Sequence, residues 1–192
     1  SEDIPVRDIA DYTGFPEMME GRLKTLHPKV HGGILCRHDH PEDLDSLAAH
    51  GIVTFELVVV NLYPFEATVA RGDVSMEEAI EQVDIGGPTM VRAAAKNHAF
   101  TTIATCTEQY PEILEQIAQS GCTSPELRRR LAAEAFAHTA GYDRAIADYF
   151  AGQTAEGPFP GTLSKTLTRK AVLRYGENPH QQAALYALCD DR

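Results

Sequence analysis

The chain has 192 residues, 43% of them hydrophobic, enough to bury the core of one domain of moderate size. Its 28 acidic residues outnumber 17 basic ones, for a formal charge of −11, which argues against a nucleic-acid binder carrying a basic face. No apolar run approaches membrane-spanning length, so neither a membrane nor a nucleic acid is expected as a partner.

The start, Ser1-Glu2-Asp3-Ile4-Pro5, lacks the basic and apolar blocks of a signal peptide. Cys36, Cys106, Cys122 and Cys189 are scattered, so free thiols in a reducing, cytoplasmic setting are expected. Residues 21–33, Gly-Arg-Leu-Lys-Thr-Leu-His-Pro-Lys-Val-His-Gly-Gly, follow. Arg22, Lys24 and Thr25 offer a planar fork, a point charge and a hydroxyl, either a grip on phosphate and carbonyl oxygens or a solvated basic loop. The flanking Gly21, Gly32 and Gly33 favour the grip because they permit close backbone approach. His27, His31, Cys36, His38 and His40 fit no zinc spacing, and no metal is assigned; His38 and His40 read as a polar loop before Pro41.

The apolar run 55–60 predicts a buried parallel strand, ended by Asn61-Leu62-Tyr63-Pro64. Asn61 and Tyr63 are then strand-end hydrogen bonders or ligand contacts. Ser75-Met76-Glu77-Glu78 matches a capping box opening a helix through Ala79, Ile80 and Val83. Asp84-Ile85-Gly86-Gly87-Pro88 leads into another helix through Val91 and Ala95, with Pro88 in its first turn. Its N-terminus suits anionic or carbonyl oxygens, although Asp84 equally suits an ordinary cap. Lys96 falls near the C-terminus of that helix, where a lysine commonly just complements the dipole.

Residues 100–105, rich in β-branched types, predict a second strand. Strands alternating with helices give an α/β class with a mostly parallel sheet flanked by helices, ligands gathering beyond the strand carboxyl ends. From Ser124-Pro125 a long helical pattern runs to Phe150, with a break expected near Gly141. Gly152 to Gly161 is linker-like, 163–173 alternates as an extended strand, and 174–181 is dense in turn residues. The lack of an initiating Met and the ending Cys189-Asp190-Asp191-Arg192 lead us to expect a piece of a longer protein.

Residues 21–33, Asn-Leu-Tyr-Pro-Phe at 61–65, Asp-Ile-Gly-Gly-Pro-Thr at 84–89, Arg-Ala-Ala-Ala-Lys-Asn at 92–97 and Leu-Arg-Tyr-Gly-Glu-Asn-Pro-His-Gln at 173–181 occur in one order. That series closely resembles the AICAR transformylase/IMP cyclohydrolase family of purine biosynthesis, over nearly the whole chain. The resemblance implies a methylglyoxal-synthase-like cyclohydrolase domain over 1–162, without the N-terminal strand and phosphate loop of family members. It implies that 163–192 is a linker and the opening of a transformylase domain.

The implied reaction closes formyl-AICAR to IMP with loss of water, in a parent that also transfers formyl from 10-formyltetrahydrofolate to AICAR. No cofactor is implied for the cyclisation, and the full-length parent would be a homodimer. By resemblance, Lys96 serves proton transfer, and Lys24, Tyr63 and Asp84 shape the charge around the reacting groups. Arg22, Leu23, Lys24, Thr25, Asn61, Asp84, Ile85 and Gly86 align with nucleotide contacts, and Arg174 and Tyr175 with AICAR contacts of the other half. Two other readings are a methylglyoxal-synthase-like lyase, which the motifs at 24–28 and 174–181 disfavour, and a nucleotide-binding module without turnover.

Overall fold

The computed structural model describes residues 4–154, 157 and 161–188. The chain divides into two compact units, Ser1–Tyr149 and Phe150–Arg192.

In the first unit, helices α1 (Ile9–Thr13), α2 (Pro28–Leu35) and α3 (Pro41–Ala49) precede strand β1 (Leu57–Val59). Helices α4 (Phe65–Val69), α5 (Met76–Glu81) and α6 (Gly86–Lys96) then lead to strand β2 (Thr102–Ala104). Helix α7 (Tyr110–Ser120) follows, and then α8 (Pro125–Thr154), whose last residues from Phe150 belong to the second unit. The starts obey capping chemistry. Asp8 accepts from Ala10 N–H, His27 Nδ1 from Lys29 N–H, and Ser75 and Glu78 form the expected reciprocal box, which holds the Glu78 carboxyl below its usual range.

β1 and β2 pair in parallel with Val58 opposite Ile103, as the α/β pattern predicts. Val58 and Ile103 join Val30 and Ile34 of α2, Val91 and Ala94 of α6, Ile113 of α7 and Leu131 of α8 in the main core. The alanines of α6 are the reason it can sit at the centre: with only methyl groups at 93–95, it packs on α2, β1 and β2 together. A second cluster gathers Phe65, Ala79 and Tyr142, with Val69 and Ile146 against them. Full burial of a side chain such as Phe65 contributes about 1.5–3 kcal/mol.

Three expectations need correction. The strand at 55–60 is shorter, and it is buried on one side only: Leu57 is 41% and Val59 50% exposed, because β1 alternates and only the Val58 face meets the core. Gly32 and Gly33, expected to let backbone approach a ligand, lie inside α2, where Gly33 faces the Val53 carbonyl and the Phe55 ring. The long helix does not break at Gly141, since Tyr142 is anchored beside it and one helical glycine costs only about 1 kcal/mol.

In the second unit, β3 (Leu167–Leu173) and β4 (Ala183–Leu188) form an antiparallel hairpin with a bulge between Arg169 and Ala171. This hairpin lies outside the α/β unit, whose small sheet is parallel as expected. Of the expected linker, 152–154 continue α8, and 155, 156 and 158–160 lie outside the described residues. No described helix is long and apolar enough to cross a membrane.

Candidate active site

The segment carrying Arg22 to Thr25 is a tight hairpin, not an open basic loop. Met18 and Leu23 exchange backbone hydrogen bonds at 3.1 and 3.3 Å, and the turn between them puts Met19 at φ 54° and Glu20 at φ 56°. Both are non-glycine residues in the left-handed region, a strained geometry, and Gly21 at φ 94° completes the turn. Arg22 pairs with Glu81, the last residue of α5, and Lys24 Nζ stands 2.9 Å from Glu17 Oε2. Glu81 holds the Arg22 guanidinium above its ordinary pKa, and Glu17 does the same for the Lys24 ammonium, with a smaller contribution from nearby Tyr63.

Asp84 takes up the cap role at the start of α6: its Oδ1 accepts from Gly87 N–H at 2.8 Å. A side chain at Gly87 would strike that carboxylate and Leu62, and one at Gly86 would meet Thr25 Oγ1 at 2.5 Å. Thr25 therefore lies directly on the α6 N-terminus. The backbone of the turn is tied from behind. Asp84 N–H donates to the Tyr142 hydroxyl at 2.7 Å, and that hydroxyl donates to the Gln82 carbonyl at 2.9 Å. Burial pushes the Tyr142 phenol up, against the opposing effect of the Asp84 N–H bond.

Tyr63 is 55% exposed and walls a cavity of about 550 Å³ whose other side includes His138 and Tyr142 of α8. A second cavity of about 680 Å³ runs past Arg22 and Arg71, among Glu20, Glu77, Glu78 and Glu81. Asn61 and Ile85 are exposed beside these segments.

The structure thus brings Lys24 to Tyr63 and Thr25 to the Asp84–Gly86 turn, while Arg22 is drawn to Glu81 at the end of α5. Lys96 is placed differently: it is the exposed last residue of α6 and, at about 1.5 Å per residue, stands about 15 Å along the axis from Gly86. Arg174 and Tyr175 follow β3 in the second unit, exposed, in a turn held by Gly176 N–H to the Gln181 carbonyl at 3.0 Å.

Several residues escaped the sequence reading. Asn97, in the same motif as Lys96, is buried, and its Nδ2 donates to the carbonyls of Ile34 and Cys36, both at 2.8 Å. Gly33 lets α2 lie on the Val53 carbonyl and the Phe55 ring rather than on a ligand. Tyr142, Glu17 and Glu81 carry no sequence signal of their partners. Strand β4 was hidden because Ala and Leu favour helix, although the turn residues at 174–181 between two apolar stretches signal a hairpin.

The profile of the AICARFT/IMPCHase bienzyme matches residues 94–191, and that of the MGS-like domain matches residues 1–89, so the α/β fold is of the MGS-like kind. The bifunctional purine biosynthesis protein PurH of Rhodopirellula baltica is 59% identical over 189 residues, covering 98% of this chain and 36% of the relative. PurH of Listeria monocytogenes serotype 4b (strain CLIP80459) is 52% identical over 183 residues, covering 95% of this chain and 36% of the relative. The crystal structure of ForH superposes with a TM-score of 0.62 at 35% identity, covering 74% of either chain. The chain spans just over a third of the length of the curated relatives it matches.

Proposed function

Because the chain belongs to the AICARFT/IMPCHase bienzyme family, we propose that residues 1–162 form the cyclohydrolase part of a purine-biosynthesis enzyme, closing formyl-AICAR to IMP with loss of water. Residues 163–192 then open a transformylase part that takes formyl from 10-formyltetrahydrofolate, with Arg174 and Tyr175 as AICAR contacts. The full-length protein acts as a cytoplasmic homodimer. The observation carrying this reading is the meeting of the Arg22–Thr25 hairpin, Tyr63 and the Asp84–Gly86 turn at one end of α6.

The chemistry explains why such a cluster is required. The carboxamide nitrogen attacks the formyl carbon, a C–N bond forms, and the former formyl oxygen gains negative charge. That oxygen must be protonated and the nitrogen deprotonated before water departs. An amide is a weak nucleophile, so acid–base help and stabilisation of the oxyanion carry the rate. Lys24 is held protonated by Glu17 and supplies positive charge beside the Tyr63 phenol. Thr25, Asn61, Arg22 and the backbone at Leu23, Ile85 and Gly86 offer donors to the nucleotide.

Lys96 is the proposed proton-transfer group. Its place at the far end of α6 demands that the nucleotide extend along the helix. Helical side chains lean toward the N-terminus, which shortens that span.

The test is conversion of formyl-AICAR to IMP by this chain, followed by absorbance, with Lys96→Ala beside it. Turnover that falls about 100-fold or more in the variant, at little changed IMP affinity, supports the reading. Unchanged turnover removes Lys96 from the mechanism. A chain that neither forms nor binds IMP overturns the reading. In the full-length protein, Arg174→Ala should impair formyl transfer and spare cyclisation.

A further inference from the structure

Two of the residues proposed to act at the reacting groups, Tyr63 and Asp84, come from separate segments, and one side chain of α8 reaches both segments. The Tyr142 hydroxyl accepts from Asp84 N–H at 2.7 Å and donates to the Gln82 carbonyl at 2.9 Å, which fixes the backbone on either side of Val83. The ring that carries this hydroxyl packs edge-on against Phe65, with centroids 6.4 Å apart. Phe65 is only 1% exposed, its N–H donates to the Tyr63 carbonyl at 2.8 Å, and the Tyr149 ring stands 5.6 Å from its own. Helix α8 therefore holds the Tyr63 segment through a ring and the Asp84 turn through a hydroxyl. The two segments also touch, since Leu62 and the Asp84 carboxylate both crowd the spot where a Gly87 side chain would begin.

We propose that Tyr142 is a positioning residue for the ring closure: its ring and hydroxyl together set the spacing between Tyr63 and the Asp84 turn, so that both face one substrate. The inference rests on the cyclohydrolase reading of this unit. Its physical ground is orientation, because the amide nitrogen must meet the formyl carbon while the polar groups stand where charge develops. A misplacement of about 1 Å costs up to about 100-fold in rate. Nucleotide binding depends on it less, being shared among several segments, and Asp84 keeps its bond to Gly87 N–H at the α6 start. The Tyr142 hydroxyl is taken up by two backbone groups, so the residue acts through the turn rather than on the substrate.

The variant Tyr142→Phe keeps the ring and frees the turn. Its kcat should fall about 10-fold or more while IMP affinity moves less than about three-fold. Amide hydrogen exchange at Asp84 should quicken, with the Thr102–Ala104 strand still protected. Phe65→Leu works on the other arm, keeping the hydroxyl and thinning the ring contact, and should lower kcat likewise. Thr102→Val is the control for lost stability. It removes a buried hydroxyl that pairs with Thr123 Oγ1 at 2.7 Å, opposite Leu57 at the start of the parallel strands and away from their Asn61–Tyr63 end. It should turn over like wild type.

The experiment is steady-state conversion of formyl-AICAR by the wild-type chain and the three variants. Calorimetric titration with IMP and hydrogen exchange read by mass spectrometry accompany it, with circular dichroism to show that each chain is folded. Lower kcat in Tyr142→Phe and Phe65→Leu, at nearly constant IMP affinity and with Thr102→Val unmoved, supports the proposal. A kcat within about two-fold of wild type in either of those two, once folded, overturns it and leaves the cyclohydrolase reading intact. An equal loss in Thr102→Val also overturns it, because lost stability then explains the fall. If the wild-type chain neither forms nor binds IMP, the cyclohydrolase reading falls and this inference with it.

Discussion

Replacing Tyr142 by Phe removes one oxygen atom and tests how the Asp84 turn is held. In the folded chain that oxygen accepts from Asp84 N–H at 2.7 Å and donates to the Gln82 carbonyl at 2.9 Å, while the tyrosine is only 6% exposed. Each such bond contributes about 0.5–1.5 kcal/mol net, so the variant should lose about 1–3 kcal/mol. The ring remains, and with it the edge-on packing on Phe65 at 6.4 Å, so no cavity adds to that figure. A loss near 2 kcal/mol lowers the melting temperature of a domain of this size by about 4–8 °C.

Urea unfolding followed by circular dichroism reads the loss. The pH dependence gives a second check. Burial raises the folded phenol above its ordinary pKa near 10. The unfolded tyrosine therefore loses its proton first, and this contribution, intact below about pH 10, disappears as the pH rises through the folded value. The stability gap between wild type and variant should accordingly narrow in alkali. A midpoint unchanged at pH 7 would refute the claim that the phenol ties down the turn.

Other perturbations have equally definite outcomes. Asn97→Ala leaves the Ile34 and Cys36 carbonyls without their donor and should cost about 2–3 kcal/mol in urea unfolding; a change below about 0.5 kcal/mol would show that the two bonds carry no net stability. Gly33→Ala drives a methyl into the Val53 carbonyl and the Phe55 ring and should cost about 1–3 kcal/mol, whereas Gly141→Ala, with open space at its Cβ, should stabilise by about 0.5–1 kcal/mol. Thermal melts of the pair test both signs. In alkylation at pH 8 followed by mass spectrometry, exposed Cys122 should react well ahead of Cys36, whose thiol is buried and pushed up by that burial; equal rates would contradict the packing of the α2 C-terminus.

Much was legible in the linear order. The capping box at Ser75–Glu78 is a local reciprocal bond, so four residues suffice to announce it. The two parallel strands followed from an apolar run and a β-branched one, and the α6 start from Pro88 in a first turn. The five motifs in register led to the family that the AICARFT/IMPCHase match over residues 94–191 bears out. These signals share a cause: short-range geometry and motif order are written in neighbouring residues.

Only the tertiary structure decided what those residues touch. Glycines 32 and 33 promised a ligand, yet Gly33 is small because the segment at Val53 and Phe55, ahead of β1, passes over α2. Asn97 and Lys96 are neighbours in one motif, but one turns into the core to bind carbonyls some sixty positions away, |i−j| of 61 and 63, and the other stays exposed. The carboxylate on Arg22 and the phenol behind Asp84 come from segments 59 and 58 positions away, whereas Glu17 meets Lys24 within one local hairpin. The chain alone set the local elements and the family. Which charge meets which partner followed from packing, because a pairing across the fold leaves no periodicity in the sequence to read.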